Sequence, residues 1–299
     1  MTARHTRRRP LASVWAYGLI APAMLVFLVF SIFPSVVTVM ISLFDWNWLN
    51  TAMSEFVGLE NYRAMLAGET TPSFWSTLRI SFVFIIAIVV FGTAISLAIA
   101  MLLRRSTRIA MFGRAAVFIA YVTPQVATSI AWIWMYNDRF GVLNALLSAA
   151  GLPRIDWLGN PGVALVAIII YTLWNGTGFT MMIFLGGITT LSTDQSEAAR
   201  LDGANAWQEF WHVTLPQLRP FVTFVVIITS IHSLQAFTQF FVMTSGGPGY
   251  VTSTLGFEVY RQAFVTRSAG YAAALAVVLF AITAIMSAAQ MRISRRLSL

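Results

Sequence analysis

The sequence contains no cysteine and no lysine, and it carries little charge of either sign. Without cysteine, the chain forms no disulfide, thiolate metal site or iron–sulfur cluster. Without lysine, it cannot complete a phosphate-binding loop of the GxxxxGK[ST] type, so we expect no ATP hydrolysis by this chain alone. The three histidines, His5, His212 and His232, are scattered, which is unfavourable for a metal site. These absences predict a chain that is not itself an enzyme and holds neither cofactor nor metal.

Hydrophobic residues dominate the composition. They make up 58% of the 299 residues, only 10% are charged, and the mean hydropathy is +0.75. A soluble domain carries about a quarter charged residues. The composition therefore predicts an integral membrane protein. The net charge of +8 needs no nucleic-acid partner, because the positions of the arginines explain it in another way.

Charge-free windows locate the candidate membrane spans, each of which needs about 20 apolar residues. The first window is far longer than the core of a signal peptide, so we expect it to be retained. We predict an all-α integral membrane fold with one membrane domain at residues 14–292, between tails at 1–13 and 293–299. The six predicted transmembrane helices cover residues 14–42, 80–103, 115–137, 163–189, 220–243 and 268–291.

The arginines predict the orientation of these spans. With the N-terminus assumed to be cytoplasmic, the inner segments hold 13 arginines and the outer segments hold 6. This difference agrees with the positive-inside rule. Both termini and the polar segment between the fourth and fifth spans, residues 194–216, are therefore predicted to be cytoplasmic.

The polar segment, which we call the 194–216 loop, predicts two short helices with a bend between them. Asp194 and Glu197 have the spacing of a capping box, and Gly203 can adopt a positive φ that ends the first helix. Pro216 is compatible with the first turn of the next helix. An amphipathic connector lying on the membrane surface is the alternative interpretation of this loop.

The same loop resembles a family signature, the EAA loop of bacterial ABC importer permeases. That resemblance implies that the loop docks on a separate ATP-hydrolysing subunit. The residues that match the signature or lie within it are Glu197, Ala198, Ala199, Asp202, Gly203, Leu215 and Pro216. Val213 stands where the family usually has isoleucine.

Further motifs resemble the carbohydrate-uptake branch of these permeases, the group with maltose, multiple-sugar and glycerol-3-phosphate systems. They include TSGGPG at residues 244–249 and FEVYRQAF at residues 257–264. The resemblance implies a multi-pass subunit of the bacterial cell membrane. It also implies three partners: a second, homologous permease, a pair of ATPase subunits that bind ATP and magnesium, and an extracytoplasmic substrate-binding protein.

Polar and aromatic residues in the fourth and fifth spans are candidates for a substrate pathway. Amide and hydroxyl groups bond the hydroxyls of a sugar, and aromatic rings pack on its C–H faces. The candidates are Gln235, Phe237, Thr238 and Gln239 in the fifth span, with Trp174 and Asn175 in the fourth. Polar side chains in membrane helices also bond one another, so helix packing is the alternative role.

Other classes of function fit the sequence less well. An ion-coupled secondary transporter of a small polar solute would need intramembrane carboxylates, and the six windows contain none. A membrane-embedded enzyme would need paired carboxylates or an HExxH motif, which the spans also lack. Pro124 lies inside the third span, where we expect it to act as a packing kink. The predicted function is the translocation subunit of an ATP-driven importer for a sugar, polyol or glycerophospho compound.

Overall fold

The computed structural model describes residues 10–47 and 54–297, and this part of the chain is mostly helical. Within these described residues, four helices are long and apolar enough to cross a membrane, and the count reaches six when each of two bent helix pairs is taken as one span. The four are Gly18–Ile41, Phe74–Leu102, Ala164–Thr189 and Ala269–Ser294. The predicted orientation of the spans stays a prediction.

The first span consists of α1 (Pro10–Phe27), a π-helical turn (Leu28–Ile32) and α2 (Phe33–Ile41). From residue 18 onwards its side chains are mostly apolar and largely exposed. Its second helix, α2, packs against the last helix of the chain.

A short extramembrane unit follows the first span. Strand β1 (Phe44–Asp45) pairs antiparallel with β2 (Glu55–Phe56). The predicted fold was all-α, and this short strand pair is a departure from it. Helix α3 (Glu60–Ala67) lies beside this pair. The Asn61 amide donates to the carbonyls of Ser42 and Phe44 at 2.9 and 3.0 Å, which fixes α3 at the end of the first span.

Two long helices, α4 (Phe74–Leu102) and α8 (Ala164–Thr189), pack together at the centre of the bundle. Two of the four glycines of α8 lie where another helix approaches closely. A Cβ on Gly178 would lie 2.6 Å from the Val117 carbonyl oxygen, and one on Gly187 would lie 2.6 Å from the Phe221 ring. Gly176 and Gly186 face open space.

The third and fifth predicted spans are broken. The third consists of α5 (Arg108–Val122) and α6 (Gln125–Met135), which meet at 101°. This is a sharp break rather than the packing kink expected at Pro124. The fifth consists of α12 (Arg219–Leu234) and α13 (Thr238–Met243). Between α6 and α8 lies α7 (Val142–Ala149).

The 194–216 loop contains α9 (Thr193–Leu201), α10 (Ala206–Glu209), a π-helical turn (Phe210–Thr214) and the start of α11 (Leu215–Gln217). A bend of 68° separates this second group from α12.

After α13, the chain forms α14 (Leu255–Tyr260), a π-helical turn (Arg261–Val265) and α15 (Ala269–Leu297). The buried Glu258 carboxylate pairs with Arg261 at 2.5 Å and accepts hydrogen bonds from Ser253 and Gln262. Arg261 also donates to the Thr71 carbonyl at 2.6 Å, which ties this unit to the loop before α4.

The crossing of α5 and α8 provides a test of the packing. Gly178→Ala should destabilise the protein by about 1–3 kcal/mol, because the added methyl group meets the backbone of α5, which cannot move aside as a flexible side chain would. The measurement is the thermal unfolding midpoint of the purified protein in detergent. Gly186→Ala, which adds the same group on the same helix in open space, is the control. Equal midpoints for the two variants would contradict this packing.

Candidate functional site

A cavity of about 310 Å³ lies between α4, α5, α8, α12 and the breaks in the third and fifth spans. No Asp, Glu, Lys or Arg is among the residues that line it, and its wall is largely apolar, with polar side chains between the apolar ones. The polar and aromatic residues of the lining are Phe84, Tyr121, Gln125, Asn175, Phe179, His232, Ser233, Gln235, Phe237 and Gln239, together with four threonines.

The break in the third span begins with a missing hydrogen bond. Pro124 has no N–H, so it cannot bond the Ala120 carbonyl one turn earlier. The Asn175 amide of α8 donates to that carbonyl at 2.8 Å instead. A free carbonyl at membrane depth would be costly, and a side chain from a neighbouring helix satisfies it here. Asn175 thus stabilises the end of α5 while it lines the cavity.

The start of α6 is fixed by a second residue of α8. The buried Tyr171 hydroxyl donates to the Gln125 carbonyl at 3.1 Å. It also lies 2.9 Å from the Thr128 hydroxyl and accepts a bond from Ser129 at 3.0 Å. Because these bonds hold the backbone of residue 125, the Gln125 side chain lies at the cavity wall.

The break in the fifth span packs against the start of α14. A Cβ on Gly256 would lie 2.9 Å from the Ala236 carbonyl oxygen, so only glycine permits this close contact. Gln239, at the start of α13, is buried, and its Oε1 accepts a bond from the Gln125 amide at 3.0 Å. This bond joins the two broken spans.

The structure brings four of the six candidate pathway residues together. Gln235, Phe237, Gln239 and Asn175 line the cavity, whereas Thr238 and Trp174 are not among its lining residues. The Trp174 ring packs on Trp132 at 5.4 Å and is 42% exposed on another face of α8.

Sequence reasoning did not name Tyr121, Phe179 or His232 as pathway candidates, although all three line the cavity. Tyr121 and Phe179 stack with ring centroids 4.9 Å apart and form an aromatic wall. Tyr121 comes three residues before Pro124, and that position next to a helix break was the available signal. His232 is exposed at the cavity.

The 194–216 loop has the predicted helix–bend–helix form, with different capping. Gly203 adopts a φ of +86° directly after α9, as predicted. Asp194 lies within the first turn of α9, so it is not the N-cap. The capping box lies instead at the second helix, where Asn205 and Gln208 exchange hydrogen bonds of 2.9 Å.

An ion pair that the sequence did not predict joins the two helices of the loop. Arg200 donates to both carboxylate oxygens of Glu209, at 2.9 and 3.1 Å. These bonds lower the pKa of the Glu209 carboxyl, and the nearby Arg104 acts in the same direction. Glu209 is therefore ionised at neutral pH, and its bonds with Arg200 tie α9 to α10.

The loop has one exposed face and one face packed on the bundle. Glu197, Ala198, Asp202 and Gly203 are exposed, whereas Ala199, Leu215 and Pro216 are partly buried. Leu201 and Trp207 are 89% and 70% exposed.

On the packed face, Phe210 and Leu215 lie in the apolar cluster formed by α4, α8 and α12, with Phe184 and Leu218 at its centre. A displacement of the loop would therefore act directly on three helices that line the cavity.

Within residues 10–47 and 54–297, no group of three or more His, Asp or Glu side chains could hold a metal ion.

Comparisons with known proteins agree with the geometry. The profile of the family described as binding-protein-dependent transport system inner membrane component matches residues 92–299. The multiple sugar-binding transport system permease protein MsmF of Streptococcus mutans is 32% identical to this chain, over 97% of the chain and 99% of MsmF. The sulfoquinovosyl glycerol transport system permease protein SmoG of Agrobacterium fabrum is 30% identical, over 93% of the chain and 89% of SmoG.

The fold is also similar to that of a solved transporter. A chain of a bacterial alginate ABC transporter, crystallised with an alginate-bound periplasmic protein, superposes with a TM-score of 0.83 at 18% identity and covers 95% of both chains. The resemblance to sugar-type ABC permeases is thus confirmed. The chain belongs to the family of binding-protein-dependent transport system inner membrane components, the multi-pass permease subunits of ABC importers.

Proposed function

We propose that the chain forms half of a translocation pathway for a neutral sugar or polyol, and that the pathway passes through the cavity at the two broken spans. The observation that carries this proposal is the chemistry of the lining, which combines amides, hydroxyls and an aromatic wall without a charged side chain. Hydroxyl-rich solutes need this combination.

The absence of arginine from the lining bears on the substrate class. A sugar phosphate or glycerophosphodiester would be bound best by paired cationic donors, and the lining supplies none. The names of the relatives cover multiple sugars and a sulfoquinovosyl glycerol. A neutral substrate suits this chain alone, and a partner permease would have to provide the charge for an anionic one.

Energy for transport would come from a separate subunit through the 194–216 loop. In the proposed arrangement the loop is cytoplasmic, and its exposed face contacts an ATPase dimer that binds ATP and magnesium. Such coupling requires that two states of the ATPase contact the loop differently. The packed face of the loop, through Phe210 and Leu215, would pass the difference to the bundle.

Three partners complete the proposed importer: a second, homologous permease that forms a heterodimer with this chain, the ATPase pair, and a substrate-binding protein outside the membrane. Both termini would be cytoplasmic. The family match favours this ATP-driven importer over the ion-coupled transporter that the sequence left as the alternative.

Substitutions in the loop test the coupling role. Glu197→Lys reverses a charge on the exposed face, and Gly203→Asp places a side chain on a backbone with positive φ. We expect either change to lower ATP-dependent uptake by roughly tenfold or more, which lies within the usual range of coupling free energies. Radiolabelled-solute uptake by the assembled importer, with membrane insertion followed by immunoblot, is the measurement.

The matched control for the glycine is Gly151→Asp. Gly151 also has a positive φ, +73°, and open space around it, but it follows α7 and lies outside the loop. Equal loss of uptake in the two glycine variants would point to general instability instead of coupling. Normal uptake by both loop variants would refute the coupling role.

A second substitution tests the pathway. The Gln235 side chain is exposed at the cavity. Gln235→Ala should raise the KM for transport about three- to tenfold, since it removes one neutral hydrogen bond to the solute. The solute is a neutral sugar selected by a ligand screen on the cognate binding protein. Thr238→Val, three residues away and outside the lining, should leave KM unchanged. If Thr238→Val raised the KM more than Gln235→Ala did, the pathway would lie elsewhere.

A further inference from the structure

A cluster of three exposed arginines lies where α4 passes into α5. We call this the basic corner, and it consists of Arg104, Arg105 and Arg108. It lies at the same end of the bundle as the 194–216 loop, because Leu103 packs in the apolar cluster that holds Phe210.

The backbone of the basic corner is held in place by a fourth arginine. Arg114 of α5 points back along the helix, where its Nε donates to the Leu103 carbonyl at 2.8 Å and its Nη2 donates to the Arg105 carbonyl at 3.0 Å. The Leu103 side chain fits over Gly113, where a Cβ would lie 3.0 Å from it. The Thr107 hydroxyl accepts from the Ala110 N–H and begins α5. The three exposed arginines therefore project from a fixed turn and not from a loose linker.

The positive charge of the basic corner is not balanced within the described chain. In residues 10–47 and 54–297, no ion pair includes any of its three arginines. Arg104 is close enough to Glu209 to lower the pKa of its carboxyl. Both carboxylate oxygens of Glu209, however, already accept hydrogen bonds from Arg200. The corner thus keeps enough positive charge to attract an anion from outside the chain.

The surroundings of the corner indicate which anion. Leu102, Ile109 and Phe112 are 77%, 85% and 69% exposed, and they flank the arginines on helices that belong to candidate spans. Large exposed apolar side chains directly beside exposed arginines mark the border between acyl chains and headgroups. Lipid phosphates lie at this border, and a guanidinium binds phosphate with paired hydrogen bonds.

We infer that the basic corner binds the headgroup phosphate of an anionic phospholipid, in the leaflet that faces the 194–216 loop. That this leaflet is the cytoplasmic one rests on the proposed function. A lipid held here would place its negative charge beside Arg104, within electrostatic reach of the Arg200–Glu209 pair. The lipid composition of the membrane would then act on the loop that is proposed to receive the ATPase.

Native mass spectrometry of the purified full-length chain, titrated with phosphatidylglycerol or phosphatidylcholine, tests the inference. The triple variant Arg104→Gln, Arg105→Gln, Arg108→Gln should bind phosphatidylglycerol about a hundredfold more weakly, since each basic residue near an anionic headgroup contributes about a fivefold factor. Binding of phosphatidylcholine should not change. The corresponding triple lysine variant should retain most of the preference, because it keeps the charge.

The matched control removes the same charge elsewhere, through Arg79→Gln, Arg139→Gln and Arg154→Gln, all of which are exposed and lie outside the corner. The inference is overturned if this control loses as much phosphatidylglycerol as the corner variant, or if the corner variant binds like the wild type. It is also overturned if excess inorganic phosphate displaces the lipid completely, which would indicate a site for a soluble anion. The assay uses the permease without its ATPase, so its outcome is independent of the uptake result for Glu197 and Gly203.

Discussion

The need to satisfy every backbone polar group inside a membrane shapes this structure. Breaking a helix at bilayer depth frees carbonyls and N–H groups, and such breaks are tolerated only where protein or water can bond them. Here Asn175 bonds the carbonyl that Pro124 leaves free, and Tyr171 holds the helix that restarts after it. The broken segments must therefore face the interior of the bundle. That is why the cavity, the amides and the two breaks lie together.

The structure of the 194–216 loop suits the coupling role proposed for it. The loop contains one helix with a capping box and an ion pair that ties α9 to α10. Phe210 and Leu215 pack it onto the helices that line the cavity. A rigid body packed against a dense apolar cluster transmits displacement, whereas a flexible linker would absorb it.

Hydropathy and local backbone chemistry allowed the apolar segments and the form of the 194–216 loop to be predicted from the sequence. The windows located the apolar segments, and Gly203 and Pro216 lie where their conformational preferences require. Two of the six predicted pathway residues, Trp174 and Thr238, do not line the cavity, and the prediction treated the fifth span as one continuous helix. A break after α12 lets Gln235 and Phe237 both line the cavity although they are two residues apart, while Thr238 does not. The 101° angle at Pro124 could not be predicted, since residues of α8, distant in sequence, set it.

Two polar contacts of the bundle differ in strength. At α14, Glu258 forms a buried ion pair with Arg261 and accepts two further hydrogen bonds, which fix this helix. Between the two breaks, the Gln125–Gln239 contact is a single neutral bond. A neutral hydrogen bond contributes about 1 kcal/mol net, whereas breaking a buried ion pair costs about 3–5 kcal/mol. The neutral contact can open and re-form at a lower cost than the ion pair, so the joint between the broken spans is the part of the bundle best suited to move in the proposed transport cycle.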